Sequence, residues 1–354
     1  GVKRTIGLGD YLGKPDDKKL NKIKIDATDF EASTNKLNEE RKKLSTKDRV
    51  AYTSHTMFYP FTIDDCFLSS SQNLFPVEYA IKHKNDLLES GQYSGMLCDV
   101  FLESGNKLGT TKSNKQLAGF PFSGGVIDAP VQIFEMPQSN RFDDFIYVSG
   151  SDPYKQAKSD TPSLGAFYVF KRRVGIRDPY AYRIVASYVS RPSSIDQFCR
   201  TCEVLQKGYG AICLMENADQ MYEQYLNRKS GMPASFFLFA GEAIANKYVK
   251  AGSRQNSKLG LYPTPGNQNL LFSCVVDYCW QDFVIGYDDQ TGLDITVKGI
   301  ELIDDIALLD EIIQYKPGLN VDRIIAFGHA LVLARYFDDN NYMPKSKIEE
   351  MNNA

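Results

Sequence analysis

An α/β fold is predicted for this chain: a mixed sheet flanked by helices, with an N-terminal arm or linker region ahead of it. Three observations predict it. Buried-strand runs follow one another from residue 145, strand and helix patterns alternate from residue 195, and residues 1–50 are polar and Lys-rich with few apolar anchors. The 354 residues are 43% hydrophobic and 12% aromatic, enough to bury a sizeable core, which excludes global disorder. The 41 basic side chains nearly balance 44 acidic ones, so no overall basic field draws the chain onto nucleic acid or anionic lipid, and any such partner has to meet a local patch. No run of 18 apolar residues occurs and Gly1–Asp10 lacks the apolar core of a signal peptide, so the chain reads as cytosolic, without a membrane partner.

Residues 1–50 hold 13 Lys and Arg against 9 Asp and Glu, leaving 28 against 35 for the remainder. Asp29–Val50 is charged all round, as suits an exposed helix outside a compact core, and residues 1–55 read as an arm or linker. Residues 56–140 read as a connector of short elements. Within it Thr62 can cap a short helix that turns Cys66, Phe67 and Leu68 inward, and Ser123-Gly124-Gly125 forms a turn.

Residues 141–345 carry the regular pattern. Phe145–Gly150 is a buried-strand run closed by Ser151-Asp152-Pro153; Leu164–Phe170 and Arg183–Val189 follow a short turn apart, as in an antiparallel meander. A helix over Ile195–Lys207, capped by Ser193 or Ser194, leads to a strand at Ala211–Met215, which is a βαβ connection. Gln220–Leu226 continues as a helix and Ser235–Phe239 is a fifth strand. Two long helices, Lys298–Tyr315 and Asn320–Phe337, close the chain. Three antiparallel strands, then parallel strands alternating with helices, describe the ribonuclease H-like architecture.

That arrangement singles out three acids. Asp152 stands at the C-terminal end of the first strand of the meander, between Gly150 and Pro153, where a ligand can reach it. Glu216 stands in the same relation to the fourth strand, which neighbours the first in a ribonuclease H-like sheet. Asp322 opens the last helix behind Asn320. Carboxylates gathered at one point repel unless a divalent cation neutralises them, and all-oxygen ligands suit Mg²⁺ or Mn²⁺. Two such ions about 4 Å apart activate a water and stabilise the leaving oxygen of a phosphodiester, so phosphodiester hydrolysis is the chemistry such a site favours. Taken singly, the same residues also read as a turn former, a helix N-terminal residue and a partner of the helix dipole.

The seven cysteines lack framework spacing and read as reduced core thiols; the zinc alternative would pair Cys199 and Cys202 with Cys274 and Cys279. His329, seven residues past Asp322, is expected to be packed or hydrogen-bonded rather than a general base. Asp304-Asp305 and Asp310-Glu311 alternate with Ile and Leu and read as the solvent face of a helix. The run Lys171-Arg172-Arg173, with Arg177, and the loop containing Lys247, Lys250, Arg254 and Lys258 are the best local basic patches for DNA phosphates, with Tyr248 and Tyr262 as possible stacking partners.

The runs YVSGSDPY from Tyr147, ICLMEN from Ile212 and IDDIALLDEIIQYKPGLNVDRIIAFGHALVL from Ile303 resemble the nuclease domain of tailed-bacteriophage terminase large subunits, most closely those of crAss-like phages. YPFTIDDCFL from Tyr59 is similar to the segment that joins the terminase ATPase to its nuclease, and GLYPTP from Gly260 to the turn before that domain's penultimate helices. The resemblance spans residues 55–337. It implies a ribonuclease H-like fold, two Mg²⁺ or Mn²⁺ ions, and cutting of concatemeric double-stranded viral DNA during genome packaging. By position it implies Asp152, Glu216 and Asp322 as catalytic metal ligands, with Asp160 as an accessory acid. The partners it implies are the portal protein, the small terminase subunit and an ATPase domain of the same polypeptide, in the host cytoplasm and transiently at the procapsid portal.

Two features depart from the family. Relatives often pair two acids at the start of the last helix, whereas here Val321 and Arg323 flank a lone Asp322, which weakens the second ion's site. No G-x-x-x-x-G-K-[ST] occurs, so ATP hydrolysis is not expected, and a chain that starts at Gly1 reads as the C-terminal piece of a larger motor protein. A junction resolvase or transposase-like nuclease of the same fold, or a non-catalytic docking module of the motor, are the alternatives.

Overall fold

The computed structural model describes residues 30–45 (side chains for 33–44), 55–56, 59, 73–91, 95–154, 163–172, 181–217, 220–249, 259–288, 291–316 and 318–342. The chain divides into two units, residues 1–72 and 73–354. In the first, helix α1 (Phe30–Ser45) is the charged helix expected there, its described side chains half-buried or exposed. Arg41 Nη2 donates to Tyr59 O at 2.7 Å, and His55 Nε2 lies 3.2 Å from Glu40 Oε2. The helix expected at residues 63–68 lies outside the described residues.

The second unit is a mixed α/β layer structure. Its sheet holds β1 (Met96–Leu102), β2 (Leu108–Lys112), β3 (Val131–Ile133), β4 (Tyr147–Asp152), β5 (Gly165–Lys171), β6 (Arg183–Ser190) and β7 (Ile212–Met215), in the order β2-β1-β3-β6-β5-β4-β7. Every pairing is antiparallel except β4 with β7, where Val148 faces Ile212 and Ser151 faces Met215. Beyond β7, Leu238 and Leu261 add single parallel bridges to Cys213 and Glu216. Residues 96–133, in the span read as a connector, supply three strands of this same sheet. β5 is buried at every position, and β4 and β6 at all but one end residue, because helices cover both faces and a near-continuous apolar run is what such a position requires.

On one face lies α3 (Ile195–Tyr209), the crossover between β6 and β7, with α4 (Met221–Lys229) and the single turn α5 (Ala234–Phe237). Ser194 is the α3 N-cap and Gly210, left-handed at φ 59°, ends it. The fifth strand expected at Ser235–Phe239 is α5 followed by the Leu238 bridge: Pro233 starts a helical turn, and Phe239 N donates to Cys213 O at 2.8 Å. Later in the chain, on the other face of the sheet, come α6 (Gly241–Tyr248) and α7 (Pro265–Trp280); Thr264 caps α7 by accepting from Asn267 N, and Pro265 starts it.

On the opposite face α9 (Asp322–Asp339) lies directly on β4. Gly150 permits this, since a Cβ there would overlap Ala326 O and Ala330 N. Phe145, two residues ahead of β4, meets Phe337 at 5.4 Å, so α9 runs antiparallel to β4 and its N-terminus sits at the strand's C-terminal end. The long helix expected over Lys298–Tyr315 is interrupted. A 3₁₀ turn (Gly299–Leu302) is followed by α8 (Ile306–Ile313), whose cap Asp305 accepts from Ala307 N and Leu308 N. An early helix, α2 (Val77–Ser90), packs on α8 through Lys84 and Asp310 at 2.6 Å, and a hairpin of β8 (Asp282–Asp288) and β9 (Leu293–Lys298) forms a separate sheet. No helix among the described residues is long and apolar enough to cross a membrane.

Candidate active site

Side chains alternate across a strand, so with Gly150 against α9, Asp152 projects to the same side. Leu214 is the register partner of Gly150, which puts Glu216 on that side too. Glu216 N donates to Ser151 O at 2.9 Å, locking the ends of β4 and β7 side by side. Antiparallel packing then delivers the start of α9. Asp152, Glu216 and Asp322 all line one cavity of about 630 Å³, together with Ser163, Gln268, Asn269, Phe272, Tyr315 and Asn320.

The three acids differ in environment. Asp152 and Glu216 are half-buried. Asp322 is buried, and burial raises its carboxyl above the ordinary range, opposed by the groups that bond it. Its Oδ1 accepts from Ser163 Oγ at 2.9 Å; its Oδ2 accepts from Leu164 N at 2.8 Å and Asn320 Nδ2 at 3.0 Å. Asp322 therefore fastens the start of β5 to the start of α9. Among the described residues, no three His, Cys, Asp or Glu side chains close on one ion-sized point. The cavity's donors are all oxygen or amide, which fits Mg²⁺ or Mn²⁺; Mg²⁺ is ordinarily held by one or two carboxylates, with water and substrate phosphate completing the shell.

The segment behind Asp322 is a buried polar network. Arg323 and Glu311 are both buried, Nη1 to Oε2 3.6 Å, and Arg323 Nη2 donates to Ala118 O. Glu311 Oε1 accepts from Ile324 N at 2.9 Å, satisfying a free amide in the first turn of α9. Burial pushes the Glu311 carboxyl up to about 8, against the pull of Arg323. Asp305 accepts from Tyr168 Oη at 2.9 Å, and Asp304 lies 3.8 Å from His83. These acids are thus not the solvent face the pattern suggested. α8 is enclosed by α2 and α9, and its charges meet partners distant in sequence. His329 is packed as expected: wholly buried, Nδ1–H donating to Ile325 O at 2.9 Å, its imidazole pulled down to about 4 by burial.

Two of the four cations expected to meet phosphates at the end of β5 are turned inward. Lys171 and Arg172 are buried, Lys171 Nζ 2.9 Å from Glu135 and Arg172 Nη2 2.6 Å from Asp338, so neither presents its charge to phosphates. Lys247 lies 3.6 Å from Asp339 and over the rings of Tyr248 and Tyr336. Tyr248 Oη donates to Asp339 at 2.7 Å. Asp160, Arg173, Arg177, Lys250, Arg254 and Lys258 lie outside the described residues. Cys199 and Cys202 sit in α3 and Cys274 and Cys279 in α7, all buried, with the sheet between the pairs.

Sequence reasoning missed the α7 wall of the cavity, Gln268, Asn269 and Phe272. The signal was present in Thr264-Pro265, a helix start, but nothing local says which face of that helix meets the acids. Compared with family models, curated proteins and solved structures, the chain matches none.

Proposed function

We propose that the chain is a metal-dependent endodeoxyribonuclease, of the kind that cuts concatemeric double-stranded viral DNA during genome packaging. One observation carries this reading: Asp152 and Glu216 stand at the C-terminal ends of adjacent parallel strands and share a cavity with Asp322 of α9. The order β6-β5-β4-β7, an antiparallel meander with a fourth strand parallel to its first, supports the ribonuclease H-like arrangement, and so does the position of α9. Asp152 and Glu216 would hold the cation and Asp322 would position Ser163, Leu164 and Asn320 around it. Two Mg²⁺ or Mn²⁺ ions, when bound, supply positive charge for activating water and stabilising the leaving oxygen. Among the described residues the cavity lining holds no Lys or Arg, and bound cation would supply the charge that attracts a phosphodiester there. The portal, the small terminase subunit and an ATPase domain are the partners this reading carries with it, as a cytoplasmic assembly.

The test is cleavage of supercoiled plasmid in Mn²⁺. Nicking and linearisation are expected, with Asp152→Asn and Glu216→Gln each slower by at least about a hundredfold. No cutting by the native chain, or cutting by Asp152→Asn at the native rate, overturns the reading. A marked preference for four-way junctions would point to a resolvase instead. One observation favours a second reading, a non-catalytic docking module: both Asp322 oxygens are engaged in hydrogen bonds. Portal capture without any Mn²⁺ binding would support that reading.

A further inference from the structure

The cavity has a second wall that catalysis by carboxylates does not use. The rings of Phe272 and Tyr315 lie 4.7 Å apart at 36°, and both line the cavity that Asp152 and Glu216 share. Behind them Phe75, with no exposed surface, meets Phe272 edge-on at 5.2 Å and Tyr315 edge-on at 5.7 Å. Phe75 is itself anchored. Its N–H donates to Asn73 Oδ1 at 3.0 Å, and Asn73 Nδ2 donates to Ile312 O at 2.9 Å. Core packing at this point is supplied by Phe75. Phe272 and Tyr315 stay half-buried, their free surface turned to the cavity. Beside them stand Gln268 and Asn269, whose side chains end in amides.

Rigid aromatic faces with adjacent amides are the groups that take up nucleobases, by stacking and by hydrogen bonds to base edges. A volume of 630 Å³ is that of a small-ligand pocket, about 300–1,000 Å³, and suits a nucleotide rather than a duplex. Bases in intact duplex are stacked on one another and offer no face to such a wall. Resting on the endonuclease reading, we propose that Phe272 and Tyr315 form a base-stacking subsite, which makes DNA with an unpaired nucleotide beside the scissile phosphate the favoured substrate. The rings select the strand and the carboxylates act on its backbone.

The experiment uses the full chain and two short synthetic duplexes of one sequence, fully paired or with a central unpaired bubble carrying a fluorescent adenine analogue. Binding is read by fluorescence in Ca²⁺ and cutting in Mn²⁺. Tighter binding of the bubble than of the paired duplex is expected, with quenching of the analogue. Tyr315→Ala should lower the bubble-to-duplex binding ratio about tenfold, and Tyr315→Phe should keep it. Equal binding of both DNAs, absence of quenching, or a Tyr315→Ala ratio like that of the native chain would overturn the subsite. Quenching that depends on Tyr315 without any cutting would retain the subsite and sink the endonuclease reading; cutting without quenching would do the reverse.

Discussion

Toward α3, the sheet presents Tyr147, Phe167, Cys213 and Met215 to Phe198, Cys202 and Leu205, a continuous apolar cluster. Toward α9, it presents Tyr168 to Asp305, while Arg323, Glu311 and His329 are buried on the same side. The first face is held by area removed from water, which is non-directional and tolerant of repacking. The second is held by polar ties that have direction: Glu311 to Ile324 N, Asp322 to Leu164 N, Arg323 to Ala118 O. All three converge on the first turn of α9, the element that brings Asp322 to the cavity. The face that hosts the candidate site is therefore the one whose stability depends on geometry, and charges buried there are costly unless paired.

The sharpest way to break this contrast is Arg323→Leu. It leaves Glu311 and the Ala118 carbonyl without Arg323 and should cost about 3–5 kcal/mol in urea unfolding at about pH 9, where Glu311 is ionised, whereas Arg323→Leu with Glu311→Leu should cost less than the single change. A loss below about 1 kcal/mol would mean that the polar face orders nothing. Leu205→Ala on the other face should cost about 3 kcal/mol through its cavity, yet leave Mn²⁺ affinity at the native value. A shift in metal affinity would show that the two faces are coupled.

The smallest effect is in pH. The folded carboxyl of Glu311 is raised from 4.5 to about 8, so its contribution is fully present below pH 4.5 and is lost as pH rises through about 8. Glu311→Gln should therefore flatten the decline of Tm across that window. His329, lowered from 6.5 to about 4, acts oppositely, its contribution being lost as pH falls through that range. The difference between Glu311→Gln and the native chain isolates the Glu311 term, and identical slopes would refute it.

Much of the fold was legible because its cues are local. Apolar runs closed by Ser151-Asp152-Pro153 and Glu216-Asn217 located β4 and β7 to within two residues, and Asn320 ahead of Asp322 located the start of α9. What failed was the reading of several charged residues as solvated. Lys171 and Arg172 look solvated beside their neighbours in sequence, but their partners Glu135 and Asp338 stand 36 and 166 residues away. Asp305 and Glu311 fit a polar helix face, and nothing nearby tells that face from one packed on Tyr168 and Arg323.

By itself, then, the sequence determined which acids stand at the ends of which strands and helix, because backbone propensity, side-chain period and turn chemistry act over a few residues. Only the tertiary structure decided that Gly150 lets α9 descend onto β4, that Asp322 is held by Ser163, Leu164 and Asn320, and that Phe272 and Tyr315 wall the same cavity. Those outcomes depend on contacts between segments far apart in the chain, where one missing Cβ or one buried charge pair selects among packings that the local pattern leaves equivalent.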